Sequence, residues 1–327
     1  MWRIGLSAAA LLAGMSLTTQ SHAADAVPLL LEAKIPLGAV SGRIDHLAVD
    51  LARQRLFVAE LGNDTLGVVD LAAGKLLRTI TGLNEPQGVG YEPSTDTVYV
   101  ANARDGSVQL FAGESLSPAD RIDLGADADN VRIDTRGQVV IGHSDGALAM
   151  IDAATHRKLA DIRLAAHPEG FQLGESQIFV NTPDARAIAV IDRAAQKQTG
   201  TWRVPNARGN FPMALSRDGL RVIAVFRNPS LLVTLDARDG RVISSVPVCG
   251  DADDVFVDEK RQQIYVTCGE GMIDVLAADD TAARRARIMT ASGARTALFV
   301  PERDRLYLAV RASGKEPAAI WVLQPLP

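Results

Sequence analysis

The fold is most clearly indicated by the stretch PQGVGYEPSTDTVYVANARDGSVQLFAGESLSPADRIDLG, residues 86–125. It contains four short segments that are apolar or alternate between apolar and polar residues, each bounded by Gly, Asp, Asn or Pro, which is the pattern of β-strands joined by tight turns. We assign strand A to Pro86–Pro93 and strand B to Thr97–Asn102. A turn at Ala103–Gly106 leads to strand C (SVQLFA), and DRIDLG forms strand D. No part of the stretch has sustained helical periodicity.

The same pattern recurs along the chain with a period of about 42 residues. Aligning the copies superimposes His46, Gly88, Asn130, Gly170, Pro212, Asp254 and Ala297. The steps between these positions are 42, 42, 40, 42, 42 and 43 residues. Repeats of this length with strand content are typical of propeller blades, which close into a ring because no blade can bury its faces alone. We therefore predict an all-β, seven-bladed β-propeller of four-stranded antiparallel blades.

The last copy is incomplete, since its strand C at Ala318–Gln324 is followed only by Pro-Leu-Pro. Near the chain start, Leu30–Gly38 is similar to the strand-D segments of other copies. We predict that this N-terminal strand completes the last blade and closes the ring, which removes an exposed sheet edge. Residues 24–327 then form one domain. Its predicted blades span 42–83, 84–125, 126–165, 166–207, 208–249, 250–291, and 292–327 together with 27–38.

The chain begins with the features of a secretory signal peptide. Arg3 precedes an apolar run, and a polar stretch then ends in Ser-His-Ala, so we predict a leader over residues 1–23 with cleavage after Ala23. The apolar run is short for a membrane span and no second run follows it, so we expect no span in the mature chain. The protein is therefore predicted to be periplasmic or secreted, and we expect a monomer.

The charge of the chain argues against one class of partner. The net charge is −5 at pH 7, and removal of Arg3, the only charged residue in the leader, makes it about −6 (−5 − 1). A mildly acidic exported protein has no electrostatic basis for binding nucleic acid. The chain also lacks C-x-x-C-H and P-loop motifs, which excludes a covalent c-type haem and a Walker-type nucleotide site.

The two cysteines lie close together in the predicted ring. Cys249 stands where blade five passes into blade six, and Cys268 ends strand B of blade six. Both fall toward one face, so a Cys249–Cys268 disulfide can form in an oxidising compartment if the Cα atoms lie within roughly 7 Å. Two buried free thiols are the alternative.

The predicted ring brings polar side chains to one mouth of its central channel. Strand A lines the channel, and the D-to-A and B-to-C connections share one face. Side chains at the starts of strands A and at one strand-B end should therefore converge there. The candidate ligand-binding residues are Arg43, Asp45, His46, Gln87, Asp129, Asn130, His143, His167, Glu169, Asp253, Asp254 and Arg295. We expect a small molecule or a protein partner to bind at this mouth.

This set is rich in carboxylates, which raise one another's pKa unless they share a cation. Carboxylates with an amide oxygen suit a hard ion such as calcium, and imidazoles near one opening suit zinc. The candidate metal ligands are Asp45, His46, Asn130, Glu169 and Asp254. The alternative is a water-filled acidic funnel without a specific ion.

One motif points to a different chemistry but stands in the wrong place. Gly142-His143-Ser144-Asp145-Gly146 matches G-x-S-x-G, which requires a strand-to-helix elbow to expose the nucleophilic serine. Here the motif aligns with the ordinary B-to-C turn at Ala103–Ser107, so we interpret it as a turn.

The strand-B segments YVTC (Tyr265–Cys268), YVAN (Tyr99–Asn102) and FVNT resemble the YVTN-type repeats of bacterial β-propellers. The resemblance covers the mature chain and implies the propeller fold. The architecture is also similar to the quinoprotein amine dehydrogenase heavy chain, the haem-d1 propeller of nitrite reductases and lactonase-type propellers. Fold similarity alone implies no reaction.

Three functions follow from these observations as hypotheses. The first is a periplasmic binding or scaffold propeller that uses its acidic mouth. The second is a metal-dependent hydrolase of the lactonase type, with Glu169, Asn130 and Asp254 as metal ligands and His46 nearby as base. The third is a quinoprotein-like redox subunit, which would need a second chain or a bound quinone.

Overall fold

The computed structural model describes residues 1–2 and 28–326 of the chain. The predicted leader and its cleavage site lie outside these residues, apart from the first two. Strand β1 spans Leu29–Pro36. Blade one then contains β2 (Leu47–Asp50), β3 (Arg55–Glu60), β4 (Thr65–Asp70) and β5 (Lys75–Thr81). Blade two contains β6 (Pro86–Glu92), β7 (Thr97–Asn102), β8 (Ser107–Ala112) and β9 (Pro118–Asp123). Blade three contains β10 (Val131–Ile133), β11 (Val139–His143), β12 (Ala147–Ile151) and β13 (Lys158–Arg163).

The second half of the ring repeats this order. Blade four contains β14 (Phe171–Leu173), β15 (Gln177–Thr182), β16 (Ala187–Asp192) and β17 (Lys197–Trp202). Blade five contains β18 (Arg208–Leu215), β19 (Arg221–Asn228), β20 (Ser230–Asp236) and β21 (Val242–Pro247). Blade six contains β22 (Ala252–Asp258), β23 (Gln263–Cys268), β24 (Met272–Ala277) and β25 (Arg284–Met289). Blade seven contains β26 (Ala297–Val300), β27 (Arg305–Val310) and β28 (Ala319–Pro325). The helical turns of the described residues are two 3-10 segments, Leu61–Asn63 and Pro301–Arg303.

The prediction of seven four-stranded antiparallel blades is confirmed, including the closure of the ring. Strand β1 pairs antiparallel with β28, so that residues near the chain start supply the outermost strand of the last blade. An Arg305–Glu32 ion pair also joins β27 to β1, with Nη2 of Arg305 2.9 Å from Oε1 of Glu32. The N-terminal strand therefore covers an edge that β28 would otherwise expose.

The hydrophobic core lies between the blades. One cluster joins Ile35 and Ile320 of blade seven to Leu56 and Val58 of blade one, and six further clusters fill the other blade interfaces. Because both faces of a blade are covered, the second strand is buried throughout, as in Thr97–Asn102. The outermost strands are mostly exposed, and in β17 the exposure alternates from residue to residue.

Every outermost strand pair contains a register shift. Bulges of this kind bend a strand and increase its twist, as a propeller blade requires between its inner and outer edges. Cys249 and Cys268 are joined by a disulfide with Cα atoms 5.9 Å apart, which links the start of blade six to the end of β23. No helix among the described residues is long and apolar enough to cross a membrane.

Candidate functional site

The mouth of the channel is formed where each blade passes into the next, and backbone hydrogen bonds fix its residues. The amide of Asp129 donates to the carbonyl of Gly142 at 2.9 Å, and the amide of Glu169 donates to the carbonyl of Asn181 at 2.9 Å. Each acidic residue is thus anchored to the second strand of its own blade. The side chains consequently project from a rigid rim rather than from free loops.

Neighbouring inner strands approach so closely that two positions require glycine. A Cβ atom on Gly88 would lie 2.1 Å from the carbonyl oxygen of Asp129, and one on Gly170 would lie 2.5 Å from that of Phe211. The amide of Gly170 donates to the Phe211 carbonyl at 3.1 Å across the same contact. These glycines therefore set the spacing of the blades around the mouth.

Three cavities follow one another along the channel. The upper chamber, of about 240 Å³, is lined by Arg43, Gln87, Asp127, Asp129, His167, Glu169, Phe211, Arg227, Asp253 and Arg295. The neck, of about 30 Å³, is lined by Arg43, Asp45, His46, Asp129, Asn130, Arg132, Glu169, Gly170, Phe211, Pro212, Met213, Asp253 and Asp254. The lower chamber, of about 270 Å³, lies beyond the neck among the following parts of the inner strands.

Arginines neutralise part of the predicted acidic ring. Arg295 places Nη1 2.6 Å from Asp251 and Nε 3.1 Å from Asp253, which also pairs with Arg227 at 2.5 Å. On the adjacent blade, Nη2 of Arg43 lies 2.7 Å from Oδ2 of Asp45. This side of the mouth is therefore a network of paired charges rather than a run of free carboxylates.

Asp129 and Glu169 lie on the other side of the mouth and lack such partners. Among the described residues, neither side chain has an arginine or lysine nitrogen within 4.0 Å or accepts a hydrogen bond, and Nε2 of the neutral His46 ring lies 3.9 Å from Oδ1 of Asp129. Burial, together with the charges of Asp253 and Asp45, raises the pKa of Glu169 to about 7. Burial and the neighbouring Glu169 raise the pKa of Asp129 well above its usual range. Two adjacent carboxyls with raised pKa values are a site that a cation can stabilise.

The neck holds polar groups that are buried but only partly satisfied. Oδ2 of Asp254 accepts the backbone N–H of Ala297 at 2.8 Å, and burial raises the pKa of this carboxyl well above its usual range. Oδ1 of Asn130 is buried and has no partner among the described residues. Burial and the nearby Arg132 lower the pKa of His46 to about 3, so its imidazole is neutral at physiological pH.

The sequence-predicted site residues come together with one exception. Those that line the upper chamber or the neck are Arg43, Asp45, His46, Gln87, Asp129, Asn130, His167, Glu169, Asp253, Asp254 and Arg295. The exception is His143, which lines neither cavity. Its Nε2 lies 3.0 Å from Asp161 on the outermost strand of its blade, because the end of a second strand is farther from the axis than the start of a first strand.

The G-x-S-x-G segment forms the expected turn, with Ser144 directly after β11. Nδ1 of His143 lies 2.9 Å from the Ser144 hydroxyl, which gives a Ser–His–Asp chain with Asp161. The hydroxyl also lies 3.3 Å from the carbonyl of Ala126. Ser144 lines none of the three channel cavities.

The five candidate metal ligands all line the neck. Within the described part of the chain, however, no three His, Cys, Asp or Glu side chains are arranged as a group that could hold a metal ion. Arg43 pairs with Asp45, and Asp254 accepts a backbone hydrogen bond, so two of the five are already engaged. The arrangement gives the lactonase-type hypothesis no specific support.

Sequence reasoning missed two arginines of the channel. Arg227 is the penultimate residue of the second strand of blade five, and its guanidinium lies 3.8 Å from the centre of the Phe211 ring. Arg132 is the middle residue of β10, two positions after the aligned Asn130. At the position two residues after the aligned one, the other copies carry small, apolar or amide side chains. Extending the repeat alignment by these two residues would therefore have identified Arg132 as exceptional.

Comparisons with known proteins establish the fold and leave the activity open. No protein-family model matches the chain, and no curated protein sequence matches it. The resemblance to YVTN-type repeats therefore rests on the strand motifs. The chain is similar in structure to hydrazine synthase from Kuenenia stuttgartiensis, with a TM-score of 0.74, 15% sequence identity, and coverage of 82% of this chain and 95% of that chain. In total, 1778 solved chains match, so this similarity shows the propeller fold without selecting a function.

Proposed function

We propose that this protein is an exported YVTN-type β-propeller that binds a small organic cation, such as an aliphatic amine, at the mouth of its channel. One observation supports the proposal above the others. Asp129 and Glu169 line the upper chamber without a cationic partner, while Asp45 and Asp253 opposite them are paired with arginine. An ammonium group supplies several N–H donors and one positive charge, which two such carboxyls lack.

The size and composition of the upper chamber agree with a small polar ligand. Its volume of about 240 Å³ is below the ~300–1,000 Å³ that is usual for drug-sized ligands. Gln87 adds an amide to the wall, and Phe211 adds an aromatic ring that is covered by Arg227. A lysine side chain from a protein partner would satisfy the same carboxyls, so a scaffold role would use the same chemistry.

Export is the second part of the proposal. It is supported by the leader-like residues 1–23 and by the Cys249–Cys268 disulfide, since structural disulfides persist in oxidising compartments.

Isothermal titration calorimetry with butylamine and 1,4-diaminobutane tests the binding site. We expect saturable binding to the wild type, and affinity about ten- to hundredfold weaker in Glu169→Gln and in Asp129→Asn, because each change removes a charge-assisted hydrogen bond. Glu175→Gln is the matched control, since Glu175 is an exposed carboxylate of the same blade outside the channel cavities. Absence of amine binding to the wild type would contradict the proposal. Affinity in the two mouth variants equal to that of the wild type would also contradict it.

The same kind of titration distinguishes the metal-dependent hydrolase hypothesis from amine binding. Calcium and zinc replace the amines as titrants, and a lactone panel follows for any ion that binds. Stoichiometric metal binding that is lost in Glu169→Gln, with metal-dependent lactone turnover, would favour the lactonase-type function over amine binding.

A further inference from the structure

The lower chamber, on the far side of the neck, has an apolar wall around one arginine. Its volume is about 270 Å³, and its apolar lining includes Val49, Tyr91, Ile133, Met213, Phe256 and Leu298. The polar side chains that reach it are His46, Arg132, Gln172 and Asp254. This composition differs from that of the upper chamber, which is lined mostly by charged residues.

Arg132 is the channel arginine that the protein leaves without an anion. Among the described residues, its guanidinium makes one hydrogen bond, from Nη1 to the carbonyl of Val131 at 3.0 Å, and no carboxylate oxygen lies within 4.0 Å. By contrast, Arg43, Arg227 and Arg295 each pair with an aspartate. A guanidinium carries five N–H donors, so most of those on Arg132 have no protein acceptor.

No direct ion pair compensates the charge of Arg132, although Asp254 and Asp129 act on it from beyond 4.0 Å. The Phe171 ring lies 5.7 Å from the guanidinium carbon. Nε2 of Gln172 is already used as a donor to the carbonyl of Met213 at 2.7 Å. Burial lowers the pKa of Arg132 from its ordinary value and raises that of Asp254, which shows that ionised groups are poorly solvated here. A cation without a direct ion-pair partner in such a place is stabilised when an anion binds to it.

We propose that the lower chamber is a second binding site, for a small carboxylate with an apolar body. The carboxylate would receive two parallel N–H donors from Arg132, since a guanidinium matches a carboxylate in this bidentate geometry. The hydrocarbon part would lie against Ile133, Phe256 and Leu298. This ligand is an anion, whereas the ligand proposed for the mouth is a cation. The neck of about 30 Å³ separates the two sites.

Benzoate and hexanoate are the probes for this site, measured by calorimetry on the oxidised protein. We expect both to bind the wild type in the millimolar range or tighter, and hexylamine not to bind in the lower chamber. Arg132→Gln should weaken carboxylate binding by about ten- to hundredfold, because it removes a charge-assisted pair. Arg157→Gln is the matched control, an exposed arginine of the same blade outside the chamber.

A stability measurement separates a binding role from a structural one. If Arg132 is an unpaired cation held for a ligand, Arg132→Gln raises the melting temperature of the ligand-free protein or leaves it unchanged. If Arg132 instead stabilises Asp254 or Asp129 through the protein, the same variant melts at a lower temperature, which would overturn the proposal.

Two further variants make the test independent of Arg132. Leu298→Trp fills the chamber while Arg132 is retained, and it should abolish hexanoate binding. Glu169→Gln at the mouth should leave benzoate affinity unchanged, so failure of the mouth proposal and failure of this one are distinguishable. Absence of carboxylate binding to the wild type, or unchanged affinity in Arg132→Gln, would refute the lower-chamber site.

Discussion

Glu169 links the chemistry of the mouth to the stability of the whole protein. Its pKa is about 7 in the folded state against 4.5 for an unperturbed glutamate. Between pH 4.5 and 7, the Glu169 side chain is mostly ionised in the unfolded chain but mostly protonated in the folded protein. The free energy of unfolding therefore falls as pH rises through this range.

This pH dependence is a prediction for one side chain. Urea unfolding of the wild type at several pH values should show falling stability across that window, and Glu169→Gln should show a shallower fall because its side chain does not titrate. Glu175→Gln, outside the channel, should follow the wild type. Identical pH profiles for wild type and Glu169→Gln would mean that Glu169 is not desolvated in the folded protein.

The two cysteines are expected to contribute to the stability of the folded protein. The Cys249–Cys268 disulfide closes a loop with a sequence separation of 19 residues. A cross-link of this length contributes about 3 kcal/mol in the chain-entropy account. Cys249→Ala with Cys268→Ala should therefore lower the free energy of unfolding by about that amount, and reduction of the wild type should do the same. An oxidised wild type no more stable than the double variant would contradict this expectation.

At residue scale, the sequence predicts which side chains reach the mouth better than it predicts their charge balance. The repeat placed Asp129 and Glu169 in one column, and the structure brings both into the upper chamber. It gave no indication that Arg227 pairs with Asp253, because Arg227 lies on a different strand and its contact arises only from packing. Periodicity locates positions within a blade, whereas ion pairs depend on how the blades meet.

Among the structural elements, the inner strands depend on glycine for their spacing. Replacing Gly88 by alanine would put a Cβ atom 2.1 Å from the Asp129 carbonyl oxygen. We expect Gly88→Ala to cost about 1–3 kcal/mol of stability, as overpacking does, and to weaken amine binding by displacing Asp129.

The control for this substitution lies on an outer strand. Gly200→Ala would place its Cβ 3.3 Å from Val190, in the outermost strand pair of blade four, away from the channel cavities. It should leave amine affinity unchanged. Gly88→Ala with wild-type stability and affinity would show that the inner strands tolerate wider spacing.

The strand boundaries themselves were predictable because each strand is short and flanked by turn residues. Strand B of the quoted stretch, Thr97–Asn102, coincides with β7, and strand A ends one residue earlier than predicted. The closing strand was expected at Leu30–Gly38 and is observed at Leu29–Pro36. Bulges at the outermost pairs leave no signal of this kind, since they arise from twist between strands rather than from a turn residue.

For the whole molecule, ring closure by β1 is a long-range contact that joins the two ends of the chain. Removal of residues 24–38 should expose the edge of β28 and the core between blades seven and one. We expect the truncated protein to aggregate or to elute as oligomers in size-exclusion chromatography, and the full mature chain to elute as a monomer. A monomeric truncated protein with an unchanged melting temperature would contradict the closure account.

The proposed export is also tested on the whole chain. Expression of residues 1–327 in a bacterial host should yield a periplasmic protein whose intact mass corresponds to cleavage after Ala23. Recovery of an uncleaved chain in the cytoplasmic fraction would contradict the assignment of the leader.

Proton release on amine binding tests whether Asp129 and Glu169 bind a cation. Calorimetric titration of 1,4-diaminobutane near pH 7, in two buffers of different ionisation enthalpy, reports the protons that leave on binding. Because the pKa of Glu169 is about 7 in the free protein, a bound ammonium should release about half a proton from Glu169 there, with any further release coming from Asp129, and affinity should rise between about pH 6 and pH 8. Absence of binding, or binding with no proton release and with equal affinity in Glu169→Gln, would contradict the account.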